Sequence, residues 1–190
     1  MSASAAHEIQ KLCLRGPVFT LAAAESLTGG RIQSALTTVS GASGYFLGGV
    51  TAYSLDQKVK LLGVNRAAAK KTNCVSAEIA EQMARGAAAL FGSDLAVATT
   101  GYAEPAPANH VDDPFAYWAL VHRVTARRWH TAAGRIVCPG MTRTQTQDAV
   151  ASAVLAELAA YLRSFGGRAA VPADRKSKAS SSGTAARPPI

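Results

Sequence analysis

The stretch Leu21-Ala22-Ala23-Ala24-Glu25-Ser26-Leu27-Thr28-Gly29-Gly30-Arg31 decides the fold of this chain. A short apolar run ends there in a carboxylate and a hydroxyl, and two glycines follow. After the glycines, apolar residues recur at helical spacing, at Ile32, Ala35, Leu36 and Val39. The stretch therefore predicts a strand, a tight turn and a helix. Ser26 lies in the turn, and such a corner can supply a nucleophile, hold an anion at a helix start, or simply cap the helix.

Helices and strands alternate on both sides of this corner. Apolar periodicity predicts strands over 18–24, 45–53 and 95–100, and helices over 5–14, 28–40, 54–63 and 76–92. The strands predicted at 115–124 and 129–137 flank a short polar turn, as in an antiparallel hairpin, and 144–165 has the pattern of a final helix. Parallel strands need crossover helices, whereas hairpin strands are antiparallel. We therefore expect an α/β fold, a three-layer α/β/α sandwich with a mixed sheet.

Composition and charge indicate one folded domain followed by a tail. The chain has 190 residues, of which 48% are hydrophobic and 17% charged, enough to bury a core. We expect a domain over 1–167 and a flexible, basic, Ser/Ala/Pro-rich tail over 168–190. Half of the net charge of +8 lies in that tail, which has five basic side chains and one acidic. The rest is an ordinary surface charge, so binding of nucleic acid is disfavoured.

The cysteines and histidines show no pattern of a metal site or a disulfide framework. Cys13, Cys74 and Cys138 are far apart and odd in number, and no C-x-x-C is present. We expect reduced thiols, a cytoplasmic location, no metal and no cofactor. Neither a signal peptide nor a membrane-spanning segment of about 20 apolar residues is expected from the sequence.

Ser26, Tyr53 and Lys58 form a candidate catalytic group in which a lysine, rather than a histidine, would be the base. Lys58 lies three residues after Leu55 and four before Leu62, on the apolar face of its predicted helix. Burial and the helix start both disfavour a charged ammonium there, so Lys58 can serve as the base for Ser26. Tyr53 can hydrogen-bond the lysine or relay a proton. The structural alternatives are a capping serine, a lysine that reaches past the apolar face into water, and a core tyrosine.

Residues near the two predicted strand ends are candidates for substrate binding. Two glycines at a helix start let the backbone approach an anion, with an arginine beside them as counter-charge. Open sheets bind ligands at the carboxyl ends of their strands. We therefore expect substrate contacts from Glu25, Thr28, Gly29, Gly30, Arg31, Thr100 and Gly101, with N–H groups near Thr28, Gly29 and Gly30 holding an oxyanion.

Several of these stretches together resemble the CinA C-terminal domain family, the nicotinamide-nucleotide amidases. The first, Ala24-Glu25-Ser26-Leu27-Thr28-Gly29-Gly30, is specific, although the family usually has Cys in place of Leu27. The similarity continues through Thr51-Ala52-Tyr53-Ser54-Leu55-Asp56-Gln57-Lys58 and Ala96-Val97-Ala98-Thr99-Thr100-Gly101. It covers about residues 5–165.

The resemblance implies hydrolysis of the carboxamide of nicotinamide mononucleotide to nicotinate mononucleotide and ammonia, part of pyridine nucleotide recycling. The family's serine, tyrosine and lysine correspond to Ser26, Tyr53 and Lys58. The implied partner is a small nucleotide substrate, and the implied assembly is a homo-oligomer without a metal ion. No role at a membrane is implied.

The departures from the family pattern lie in the loop 101–114. Where the family continues with Ile-Ala-Gly-Pro, this chain reads Tyr102-Ala103-Glu104-Pro105. Glu104 replaces a glycine and adds a negative charge that would repel a substrate phosphate. Two alternatives therefore accompany the amidase hypothesis: an amidase with another substrate, and a catalytically silent domain that binds a ligand or a partner.

Overall fold

A computed structural model of the protein describes residues 2–125 and 128–165. The helices are α1 Ser2–Cys13, α2 Arg31–Thr37, α3 Leu55–Leu62, α4 Arg66–Lys71, α5 Ala77–Phe91 and α6 Arg143–Phe165. The strands are β1 Leu21–Glu25, β2 Phe46–Thr51, β3 Leu95–Tyr102, β4 Phe115–Arg123 and β5 Trp129–Val137. The tail expected over 168–190 lies outside the described residues, so the domain boundary stays a prediction.

The strands form one mixed sheet in the order β2-β1-β3-β4-β5. β1 runs parallel to β2 and β3, while β4 is antiparallel to both of its neighbours, β3 and β5. The expected mixed sheet and its late hairpin are thus confirmed. Because β1, β2 and β3 are parallel, the residues that follow them emerge at one edge of the sheet. Ser26, Tyr53 and Thr100 all lie at this edge.

Helices cover both faces of the sheet, which confirms the α/β/α sandwich. Side chains alternate across a strand, so Leu21 and Ala23 of β1 face one core and Ala22 and Ala24 the other. The first core is closed by α1, α2 and α6, and the second by α3, α4 and α5. Since β1 and the first six residues of β3 are buried, their sequences read as apolar runs rather than as an alternation, whereas the edge strand β2 is only partly buried.

Some element bounds differ from the predicted ones for local reasons. β1 begins at Leu21 rather than at residue 18, because Thr20 is held by Asp94: its N–H and hydroxyl donate to the carboxylate at 2.9 and 2.7 Å. α2 begins at Arg31 rather than at residue 28, because Gly29 and Gly30 have left-handed φ angles of 61° and 97°. The short helix α4 was not predicted.

None of the helices in the described part of the chain combines the length and the apolar character needed to cross a membrane.

Candidate active site

The side chains of Ser26 and Lys58 meet at the carboxyl end of the parallel strands. Lys58 Nζ donates hydrogen bonds to Ser26 Oγ at 2.9 Å and to the Tyr53 carbonyl oxygen at 2.8 Å. Only 2% of Lys58 and 8% of Ser26 is exposed to solvent. A serine nucleophile and its base need this separation, together with shelter from water.

The surroundings of Lys58 favour the neutral amine. Burial lowers the pKa of Lys58 below its ordinary value, because the ammonium loses its hydration, and the nearby Cys74 thiol opposes this shift to a smaller extent. The start of α3 contributes in the same direction as burial, since unpaired N–H groups make a helix start positive. A neutral amine at 2.9 Å can accept the proton of Ser26.

Local sequence signals place Lys58 on the inward face of α3. Ser54 is extended, and its hydroxyl accepts the N–H of Gln57, which starts the helix. Gly63 ends it in the left-handed conformation. Between these caps, Lys58 and Leu62 lie one turn apart and both are buried. The predicted inward placement of this lysine is therefore confirmed.

Glu25 builds the corner in which Ser26 lies. Its carboxylate is fully buried and accepts the backbone N–H groups of Gly30, Ile32 and Gln33 at 2.9, 3.2 and 2.9 Å. Gly29 donates its own N–H to the Ser26 carbonyl at 3.2 Å. The N–H groups of Gly29 and Gly30 are thus already bonded within the corner, and the oxyanion site expected near Thr28, Gly29 and Gly30 stays a prediction.

The Tyr53 hydroxyl contacts an arginine of the last helix. Arg143 Nη2 donates to the Tyr53 hydroxyl at 2.6 Å, and Arg143 Nη1 forms an ion pair with Glu104 at 2.6 Å. Tyr53 itself is 58% exposed. Its contact with Lys58 is therefore made by the backbone carbonyl oxygen, while the side chain belongs to a cluster of Tyr53, Arg143 and Glu104 at the edge of the sheet.

Thr28 and Arg31 make contacts within the protein. The hydroxyl oxygens of Thr28 and Thr99 are 2.7 Å apart and buried, which ties the corner to β3. Arg31 Nε pairs with Asp148 of α6 at 2.5 Å, and its Nη1 donates to the Thr28 carbonyl at 3.2 Å. Both residues hold α2 and the corner in place against neighbouring elements.

Thr100 and Gly101 both lie in β3, which extends to Tyr102 and so includes the first two residues of the predicted loop 101–114. The Thr100 hydroxyl donates to the Cys74 carbonyl at 2.7 Å. A Cβ atom at residue 101 would lie 2.2 Å from the Phe115 carbonyl oxygen, so only glycine allows the close approach of β4 here.

A cleft of about 320 Å³ opens at this edge of the sheet. The predicted site residues that line it are Ser26, Tyr53, Lys58, Thr100 and Gly101. Those that do not line it are Glu25, Thr28, Gly29, Gly30 and Arg31. The Ser26 hydroxyl is therefore the polar side-chain group that the corner presents to the cleft. The other polar groups of the corner make contacts that hold the corner itself together.

The cleft also contains residues that were not predicted. Asn73 and Cys74 line it with left-handed φ angles of 48° and 63°, unusual for residues with a side chain. Asn73 Nδ2 donates to the Tyr102 hydroxyl at 2.9 Å across the cleft edge. Arg143 lies 90 residues from its partner Tyr53, so no local pattern could reveal that contact. In the described residues, no group of three or more His, Cys, Asp and Glu side chains is placed to hold a metal ion.

Comparison with known proteins points to a single family. Curated CinA-like proteins from Geobacter metallireducens and Flavobacterium psychrophilum are 51% and 43% identical to this chain over 86 residues, 45% of its length. The matched part makes up 21% of each relative, so this chain matches about a fifth of the length of these two proteins.

Solved structures of the same family are similar over most of the chain. The competence damage-inducible protein A of Klebsiella pneumoniae has a TM-score of 0.75 and 25% identity, over 86% of this chain and 98% of that one. The competence/damage inducible protein CihA of Agrobacterium tumefaciens has a TM-score of 0.73 and 28% identity, over 85% and 95%. The model of the CinA C-terminal domain matches residues 3–162, and the chain belongs to this family.

Proposed function

We propose that the chain is an amidohydrolase of the CinA type, with Ser26 as the nucleophile and Lys58 as its base. The observation that carries the proposal is the buried hydrogen bond of 2.9 Å between Lys58 Nζ and Ser26 Oγ. A serine hydroxyl is a weak nucleophile near neutral pH, and a neutral lysine is one of the few groups that can activate it. Membership in the CinA family supports the general assignment.

The first half of the reaction transfers the acyl group to Ser26. The neutral Lys58 amine takes the hydroxyl proton as Ser26 Oγ bonds to the carboxamide carbon, and the carbonyl oxygen becomes an oxyanion. The C–N bond then breaks, and the Lys58 ammonium returns the proton to the leaving nitrogen. Ammonia departs and an ester with Ser26 remains. Donation by Lys58 to the Tyr53 carbonyl keeps the amine directed at the hydroxyl throughout.

The second half of the reaction releases the acid. Lys58, neutral again, takes a proton from water as the water oxygen bonds to the ester carbon. The bond to Ser26 Oγ breaks, and Lys58 gives the proton back to the serine. The Tyr53 hydroxyl accepts from Arg143, so its own hydrogen is available for a group of the substrate at the cleft edge.

Nicotinamide mononucleotide is the substrate that the family resemblance suggests. Hydrolysis of its carboxamide gives nicotinate mononucleotide and ammonia. A cleft of about 320 Å³ lies at the lower end of the range typical of small-molecule sites, about 300–1,000 Å³.

The chain's self-association and its cytoplasmic location also stay predictions. Sedimentation of the purified full chain tests whether it self-associates.

Ammonia release from nicotinamide mononucleotide tests the proposal. The wild-type chain is expected to release ammonia, whereas Ser26→Ala is expected to lose the activity. Ser34→Ala is the matched control, because Ser34 is exposed on α2. If the wild type releases no ammonia from any pyridine carboxamide but still binds one, the chain is a silent ligand-binding domain and the proposal is wrong.

A further inference from the structure

The charges that line the cleft cancel. Among the described residues that line the cleft, the acidic and basic ones are Lys58, Glu104 and Arg143. Lys58 is neutral in the proposed mechanism, and Glu104 pairs with Arg143. The cleft therefore offers an incoming anion no net positive charge from its lining.

Glu104 forms an ion pair with Arg143, the basic side chain to which an anionic substrate would bind. Arg143 Nη1 is 2.6 Å from Glu104 Oε1, and Arg143 Nη2 is 2.6 Å from the Tyr53 hydroxyl. The three side chains come from the start of α6, the loop after β3 and the segment after β2. A guanidinium is a good partner for a phosphate, and here a carboxylate of the same chain occupies it.

We infer that Glu104 is a specificity-determining residue that selects carboxamide substrates without a phosphate over the same carboxamides with one. A phosphorylated substrate has to displace the Glu104 carboxylate from Arg143 and then remain near that negative charge. A substrate without the phosphate leaves the ion pair intact. The inference rests on the proposed function, since it names the substrate class of the same cleft.

Binding of two ligands that differ only in the phosphate tests this inference. Nicotinamide mononucleotide and nicotinamide riboside are titrated calorimetrically into the full chain carrying Ser26→Ala, which prevents turnover. The same titrations are made with Glu104→Gln added. The matched control is Glu157→Gln, which removes the same charge from an exposed position of α6, about 21 Å along the helix from Arg143.

Removal of the Glu104 charge is expected to raise the affinity for the mononucleotide relative to the riboside at least tenfold. The gain is expected to shrink in 0.5 M salt, because Glu104 and Arg143 are partly exposed and such charges are screened. Glu157→Gln is expected to leave the ratio unchanged. Adding Arg143→Gln to Glu104→Gln is expected to cancel the gain, which a merely structural role of Glu104 would not predict.

The outcomes separate this inference from the proposed function. An affinity ratio that changes less than twofold in Glu104→Gln overturns the inference, as does failure of both ligands to bind any of these proteins. Ammonia release is measured in parallel with Ser26 present. If no release occurs while the affinity ratio shifts as expected, the hydrolase proposal fails and the role of Glu104 in selecting the ligand stands.

Discussion

Gly86 lies where α5 packs against the end of α3, and its replacement by alanine tests how closely these helices must approach. A Cβ atom at residue 86 would lie 2.1 Å from the Leu62 carbonyl oxygen and 2.7 Å from Leu62 Cα. Ordinary contact begins at 3.4 Å, and the obstacle is backbone rather than a flexible side chain. The two helices would have to separate by about 1 Å to accept one methyl group.

Two effects of opposite sign compete in Gly86→Ala. Alanine favours a helix over glycine by about 1 kcal/mol. Overpacking costs about 1–3 kcal/mol, and more when the obstacle is rigid. Because the neighbouring atoms belong to the backbone of Leu62, we expect the steric cost to dominate and the free energy of unfolding to fall.

The same displacement should reach the active site. α3 carries Lys58 one turn before Leu62, and the amine is held 2.9 Å from Ser26 Oγ. A misplacement of about 1 Å can reduce a rate about 100-fold, although residue 86 does not line the cleft. We therefore expect both lower stability and slower carboxamide hydrolysis.

Urea unfolding and ammonia release measure the two effects. Ala89→Gly is the matched control, because residue 89 is exposed on the same helix and the change alters helix propensity without a new contact. A Gly86→Ala protein that gains about 1 kcal/mol and keeps its full rate would refute the reasoning, since propensity alone would then account for the result.

Three further predictions concern Lys58 and Glu25. Lys58→Met removes the base while keeping a long apolar side chain, and ammonia release is expected to fall about 10²–10⁴-fold. Burial lowers the pKa of Lys58 from 10.5, so the unfolded chain binds more protons between the folded value and 10.5. The stability of the wild type should therefore rise with pH in that window, by up to about 1.4 kcal/mol per pH unit, and urea unfolding of Lys58→Met should lack this component. Glu25→Gln leaves a single amide oxygen to accept the backbone N–H groups around the start of α2, and we expect a loss of about 1–3 kcal/mol in urea unfolding at pH 7, against no change for exposed Glu157→Gln.

Elements defined by short-range signals could be predicted from the sequence. The helices predicted over 54–63 and 76–92 begin after the caps Ser54 and Ser76 and end at Gly63 and Gly92. α4 has six residues, too few for apolar periodicity to show, and it was missed for that reason.

The candidate site likewise contains residues that local sequence signals could place and contacts that they could not. Lys58 could be placed because its helix face follows from the spacing of neighbouring apolar residues, and the strand exit at Ser26 follows from the glycines. The contacts of Arg143 with Tyr53 and Glu104 join residues 90 and 39 positions apart, and they depend on how α6 begins beside the sheet. Such contacts follow from the packing of whole elements, which local patterns do not specify.

Glu25 shows why a polar residue beside a nucleophile need not face the substrate. The left-handed glycines turn the chain so that the N–H groups at the start of α2 point back at this carboxylate. Burying the charge is tolerated because three backbone donors satisfy it. Gln147 of α6 donates to the Leu27 carbonyl at 2.8 Å and holds the corner from the other side. The position of Ser26 is thus set by groups that never touch the cleft, so a change at Glu25 should reduce hydrolysis together with stability.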